Sequence, residues 1–236
     1  QPAAIDLRMI MTVTKVVNDL ERIGDEAKKV AFKAEQAGGS GRLAQLRYHD
    51  VARALESVRT MLQAALDNGA KLNQIVYWSR PVNSKNQTLT PNPDTIYLNP
   101  FYDTTNGPVV VEIPPADANH VIVGSFDVAW QNALADIGPA GADKGQGAKY
   151  LITPPGYKEK APDGYIVLPS ETYRGFVILR SNFKSRSDAD IKSAVEHGKR
   201  VRVYPLGGSP DSTVFVDAYD KPFDATIPYD ATFFTY

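Results

Sequence analysis

Apolar positions in the first third of the chain recur every three or four residues. Ile10, Val13, Val17, Leu20, Ala27 and Ala31 lie on one stripe, with Gly24 in the same register. Between Asp6 and Ala37 there is no proline, and only Gly24 interrupts good helix formers. Such spacing predicts an amphipathic helix whose seam needs a partner. Gly38-Gly39-Ser40-Gly41 then stops the helix and supplies a flexible link. A second stripe follows through Tyr48, Val51, Leu55, Val58, Leu62 and Ala65, and Asn68-Gly69 ends it. Two seams joined by a short link predict an antiparallel helical hairpin over residues 1–68. Two helices alone bury little surface, so the hairpin needs a third surface to cover it.

Beyond Gly69 the period changes. Short β-branched and aromatic runs, bounded by Pro, Gly, Asn and Asp, predict strands at Gln74–Trp78, Val109–Ile113, Val121–Phe126, Tyr150–Ile152, Tyr165–Leu168, Phe176–Arg180, Val201–Tyr204 and Val214–Asp217. One helix is predicted from Asp188 to Lys199, with Ser187 as its N-cap. The predicted class is therefore α+β. A helical hairpin (residues 1–68) precedes an antiparallel β-sandwich or jelly-roll-like domain (residues 69–236).

Composition adds mainly exclusions. The 236 residues carry a net charge of −1 with no long run of one sign, which gives no nucleic-acid footprint. No apolar run is long enough to cross a membrane as a helix. Cysteine is absent, which removes disulfides, thiolate metal sites and Cys nucleophiles together. The three histidines, His49, His120 and His197, are far apart, and none forms a ligand-spaced pair. The start at Gln1 rather than Met is what a processed or cut N-terminus leaves.

Two resemblances follow from longer strings. Gln1-Pro2-Ala3-Ala4-Ile5-Asp6-Leu7-Arg8, with Asn18-Asp19-Leu20-Glu21-Arg22-Ile23-Gly24-Asp25-Glu26-Ala27, resembles the PhoU family of phosphate-uptake regulators. That resemblance implies part of a cytoplasmic helical bundle. It also implies a motif contributing to metal clusters, which falls here on Glu21 and Asp25, with a divalent or iron cation as its expected occupant. Read from the residues, Glu21 and Asp25 stand one turn apart on a helix face. They either share a hard cation or belong to a solvated charge ladder in which Asp25 pairs with Lys29.

The second resemblance spans roughly residues 62–236. Leu72 to Pro81, Thr90 to Tyr97, Gly147 to Leu151 and Ile227 to Asp230 resemble the bacterial domain of unknown function 1254 family. Members are often envelope or exported proteins. Many continue into a second domain of unknown function, so the resemblance implies a C-terminal truncation. The two resemblances imply different compartments, cytoplasm for the helices and periplasm or envelope for the β domain.

In the β domain, Asn92, Asp94, Tyr97, Trp130 and Arg180 combine an amide, a carboxylate, two aromatic walls and a fixed cation. That set suits a small polar ligand. The alternative is that Asn92 and Asp94 build turns and Arg180 satisfies a structural acceptor. The glycine-rich stretch 138–147 lacks the Lys-Ser/Thr ending and strand-to-helix setting of a phosphate loop and reads as a connection. His120 has no Ser-x-Gly elbow and no acidic orienter apparent in sequence, so no triad is predicted. Three functions stay open. The first is a non-catalytic regulatory protein whose helical seams meet a protein partner or a second copy. The second is an envelope ligand-binding protein, and the third, ranked last, is an enzyme acting on a small polar substrate. A natural and an artificial fusion of the two parts are equally compatible with the sequence.

Overall fold

The computed structural model describes residues 58–87 and 91–225. The chain divides into two units, Gln1–Asp50 and Val51–Tyr236, and every described residue belongs to the second. The first helix of the expected hairpin, the Glu21/Asp25 motif and the Ile227–Asp230 string lie outside the described residues.

The described part opens with helical residues 58–67 (α1), closed at Asn68-Gly69. The Asn68 side chain donates to the Ala64 carbonyl at 2.8 Å and satisfies one of the helix's last acceptors. Twelve strands follow: β1 (Gln74–Tyr77), β2 (Asn86–Gln87), β3 (Thr95–Asp103), β4 (Val109–Ile113), β5 (Ile122–Val128), β6 (Ala133–Ile137), β7 (Ala148–Thr153), β8 (Tyr165–Pro169), β9 (Arg174–Asn182), β10 (Arg202–Pro205), β11 (Phe215–Asp217) and β12 (Phe223–Asp224). Helix α2 (Asp188–Gly198) lies between β9 and β10.

The strands form a six-stranded sheet in the order β11-β1-β3-β9-β5-β6, a four-stranded sheet β10-β4-β7-β8, and a small β12-β2 ladder. Most pairs are antiparallel, as the alternating short strands predict. Three are not: β1 with β11, β7 with β8 and β2 with β12 run parallel. The expected antiparallel β domain is thus mostly antiparallel, but mixed through these three parallel pairs. The physical reason is connection length. Residues 154–164 carry the chain from the end of β7 back to its start, which a tight hairpin turn cannot do.

The two larger sheets share one core. Leu98, Tyr102, Phe126, Val177 and Leu179 from the first meet Val109, Val111, Tyr150 and Ile152 from the second. The opposite face of the six-stranded sheet is covered by α1. Val58, Ala64 and Ala65 are buried with Val76, Trp78, Phe101 and Phe223, and Met61 and Leu62 pack against them. The end of the second predicted helix therefore uses the β unit as its third surface.

Helix α2 follows its sequence signals. The Ser187 hydroxyl accepts from the Asp190 amide, and Asp188 and Asp190 place negative charge in the first turn. Its buried residues Ile191, Ala194, His197 and Gly198 face the sheets. At the last of these a Cβ would come within 2.9 Å of Leu98 Cδ1, so a larger residue here would push the Leu98 side chain aside. The Ser181 hydroxyl donates to the Ala194 carbonyl at 2.8 Å and ties the helix to β9. Together these contacts seat His197 against the sheet.

Candidate functional site

The β4–β5 loop and the end of α2 converge on one polar cluster. In the loop, Asp117 Oδ1 accepts from the backbone amides of Asn119 and His120, each at 2.8 Å. The Asp117 amide donates to the His120 carbonyl at 2.9 Å, closing the turn. This local lattice is the behaviour expected of aspartate in a turn. It also aims the carboxylate, because Oδ1 stands 3.1 Å from His120 Nδ1.

From the other side, α2 delivers His197. Its Nδ1 lies 3.4 Å from Asp117 Oδ2, and its ring stacks on that of His120 with centroids 5.1 Å apart. Arg200, one turn further on, places Nη1 3.4 Å from His197 Nδ1 and 4.0 Å from Asp117 Oδ2. The Nε2 of His197 is buried and has no hydrogen-bond partner among the described residues. One ligand atom from each of Asp117, His120 and His197 lies within 4.8 Å of the others.

The electrostatics follow from these contacts. Hydrogen bonds from the Asn119 amide, then from the His120 amide and ring, hold the exposed Asp117 carboxyl at about 2. Burial lowers the His197 pKa. The Asp117 charge opposes this, while Arg200 and His120 reinforce it. His197 is therefore a neutral imidazole at neutral pH, able to act as a ligand or a proton acceptor.

This cluster brings together two histidines that are far apart in sequence, and it corrects the reading of His120 as lacking an acidic orienter. Asp117 is that orienter, three residues before it. The Asp-x-x-His spacing was the available signal. The second imidazole arrives from a distant helix, and single-sequence spacing does not reveal that approach.

The five residues expected to line a pocket are distributed differently. Tyr97 and Arg180 are register partners on β3 and β9, and the guanidinium lies 5.6 Å from the Tyr97 ring centroid. The Tyr97 hydroxyl accepts from the Asn92 amide at 3.0 Å, and Asn92 Oδ1 accepts from the Asp94 amide at 2.9 Å. Asp94 pairs with Arg186 at 2.7 Å. The structure therefore gathers Asn92, Asp94, Tyr97 and Arg180. Trp130 stands apart. It follows Val128, whose β9 partner is Gly175, whereas Arg180 pairs with Val123 at the other end of β5. Those two points of β9 are roughly 16 Å apart along the strand.

An open cleft of about 460 Å³ beside α2 is lined by Tyr77, Arg80, Asp188, Ile191 and Lys199. Its cations are already engaged, Arg80 with Asp188 at 2.8 Å and Lys199 over the Tyr77 ring at 4.4 Å. The glycine-rich stretch 138–147 is a turn-bearing connection, as expected, with Asp143 Oδ1 accepting from the Gly138 amide at 2.8 Å.

Residues 72–205 match the family described as "Protein of unknown function (DUF1254)", and the chain belongs to that family. Residues 1–34 match the PhoU domain. The chain is 47% identical over 73 residues to a phosphate-specific transport system accessory protein PhoU homolog of Pseudomonas aeruginosa, covering 31% of this chain and 30% of that protein. The corresponding protein of Pseudomonas putida is 45% identical over 73 residues, covering 31% of this chain and 28% of the relative. The chain thus spans less than a third of the length of these curated relatives. The crystal structure of the VPA0106 protein from Vibrio parahaemolyticus matches with a TM-score of 0.53 at 16% identity, over 77% of this chain and 41% of that one, a likeness of fold alone. Among the described residues no helix is long and apolar enough to cross a membrane.

Proposed function

We propose that the chain is a non-catalytic regulatory protein in which the PhoU-like N-terminal segment contacts a protein partner. The observation that carries this reading is the 47% identity over 73 residues to a phosphate-specific transport accessory protein. The partner class suggested by that relative is a component of a phosphate-specific transport system. The test is co-purification of the full chain with such components, compared with a chain lacking residues 1–34. Capture by the full chain alone supports the reading. No capture, or capture indifferent to the deletion, overturns it.

A second reading places a small polar ligand in the β unit, in the setting of an envelope protein. It is favoured by Arg180, which lies over Tyr97 and has no carboxylate partner among the described residues. A guanidinium held by a ring and free of a counter-charge is a ready clamp for a carboxylate or phosphate group. Thermal stabilisation by phosphate or small carboxylates, lost in Arg180→Ala, supports it. A stabilisation equal in both proteins, or none, overturns it.

A further inference from the structure

We infer that Asp117, His120 and His197 form a binding site for a divalent transition-metal cation, and that the Arg200 guanidinium holds the place of that cation when it is absent. The inference rests on the β unit alone and is independent of both readings above.

Geometry comes first. A tetrahedral metal with bonds of about 2.0–2.1 Å has its ligand atoms about 3.3 Å apart. His120 Nδ1 and His197 Nδ1 stand 3.1 and 3.4 Å from the two oxygens of one carboxylate. Small rotations of stacked rings and carboxylate therefore bring three donors around one point. Two imidazoles and one carboxylate favour zinc, cobalt, nickel or iron(II) over magnesium or calcium, which take oxygen ligands.

Protonation state comes next. A metal needs a deprotonated carboxylate and neutral imidazoles. The Asn119 and His120 amides already donate to the Asp117 carboxylate and aim it at the two rings. Binding through Nδ1 leaves each ring protonated at Nε2. At His197 that atom is buried without a partner among the described residues, which weakens the site relative to a closed four-ligand zinc centre.

Arg200 supplies the second observation. Its Nη1 faces the same two atoms, His197 Nδ1 at 3.4 Å and Asp117 Oδ2 at 4.0 Å, that a cation would take. The side chain is half exposed, so it can swing into solvent when a metal arrives. Three protein ligands leave an outward-facing position for water or for an exogenous group.

The test is cobalt(II) titration of the full chain by visible absorption, with zinc(II) competition. Wild type is compared with His120→Gln, Asp117→Asn and Arg200→Gln, all in a Glu21→Gln/Asp25→Asn background that removes the other carboxylate pair. His120, Asp117 and Arg200 are not core residues, and circular dichroism checks that each variant is folded. The expected result is one tight equivalent in the parent chain. Affinity should fall at least about tenfold in His120→Gln and Asp117→Asn, no less than an outer-shell partner is worth. Arg200→Gln should bind more tightly than the parent. Absence of a cobalt spectrum, or affinity unchanged by His120→Gln and Asp117→Asn, would overturn the site. An Arg200→Gln variant that binds no more tightly would overturn the place-holding role.

Discussion

The imidazoles of His120 and His197 lie nearly parallel, 20° between planes and 5.1 Å between centroids, with the Asp117 carboxylate facing both Nδ1 atoms. Two stacked rings cannot both take up a proton without mutual repulsion, and Arg200 already adds positive charge beside them. His197 is the buried member, and its folded pKa lies below the ordinary 6.5. The sign follows directly. The unfolded chain binds the proton more readily, so this group's contribution is complete above the unfolded pKa and is lost as pH falls toward the folded one. The melting temperature of the chain should therefore drop between pH about 7.5 and about 5.5, the range in which histidine titrates. In His197→Gln that drop should be smaller. Identical pH profiles for the two proteins would exclude His197 as its source.

A second prediction concerns Tyr102 and Gly175, register partners on β3 and β9. Tyr102 is fully buried, its hydroxyl donates to the Asp127 carbonyl at 3.1 Å, and burial pushes its pKa up to about 12. A Cβ on Gly175 would fall 2.2 Å from the Tyr102 hydroxyl oxygen and 2.3 Å from the Asp127 carbonyl oxygen. Neither can yield easily, one being a packed ring and the other backbone. Gly175→Ala should cost about 1–3 kcal/mol or more by overpacking. Tyr102→Phe should cost less, about 0.5–1.5 kcal/mol for the hydrogen bond to Asp127, the Ser170 hydroxyl at 3.4 Å being the longer, weaker contact. Urea denaturation of both variants would check the order, and a Gly175→Ala variant as stable as wild type would contradict the packing.

The strands that were legible from residue pattern were those whose β-branched content and flanking turns agree. Val109–Ile113 is predicted and observed with the same bounds, and helix Asp188–Gly198 matches its caps. β3 was not legible, although with β9 it is one of the longest strands. Asn99 and Pro100 sit in its middle, and a central proline argues against a strand. The structure tolerates them because the β3–β9 ladder skips that pair and resumes at Phe101 with Phe176, while β1 pairs on the other side. β6, Ala133–Ile137, has little β propensity of its own and is held by pairing with β5 across a bulge at Phe126/Asp127. The Asp117–His120–His197 cluster was hidden for a different reason. Asp117 and His120 share one turn, but His197 joins them only because α2 folds back on the sheet, and a tertiary approach leaves no periodic trace. Tyr97 and Arg180 were chosen by chemical type and do meet. Trp130, chosen by the same logic, lies toward the opposite end of β9 because side-chain chemistry carries no information about strand register.

The last prediction concerns Asp143, whose buried carboxylate organises the glycine-rich connection between β6 and β7. Its Oδ1 accepts from the Gly138 amide at 2.8 Å, and the Gln146 amide donates to its carbonyl at 2.9 Å, so one residue ties both ends of the loop. Its charge also adds to burial in pushing up the pKa of the Tyr150 phenol in the core between the sheets. Gly138 has φ of +107° and Gly147 φ of +70°, left-handed conformations that glycine adopts without steric cost. Asp143→Ala would leave the Gly138 amide without its acceptor in a buried setting, a loss of about 1–3 kcal/mol. Asp143→Asn retains a carbonyl oxygen for that amide and removes only the charge, so it should lose less. Hydrogen exchange at Gly138 should accelerate in Asp143→Ala and stay close to wild type in Asp143→Asn. Equal acceleration in both would mean that the charge, rather than the acceptor, holds the loop.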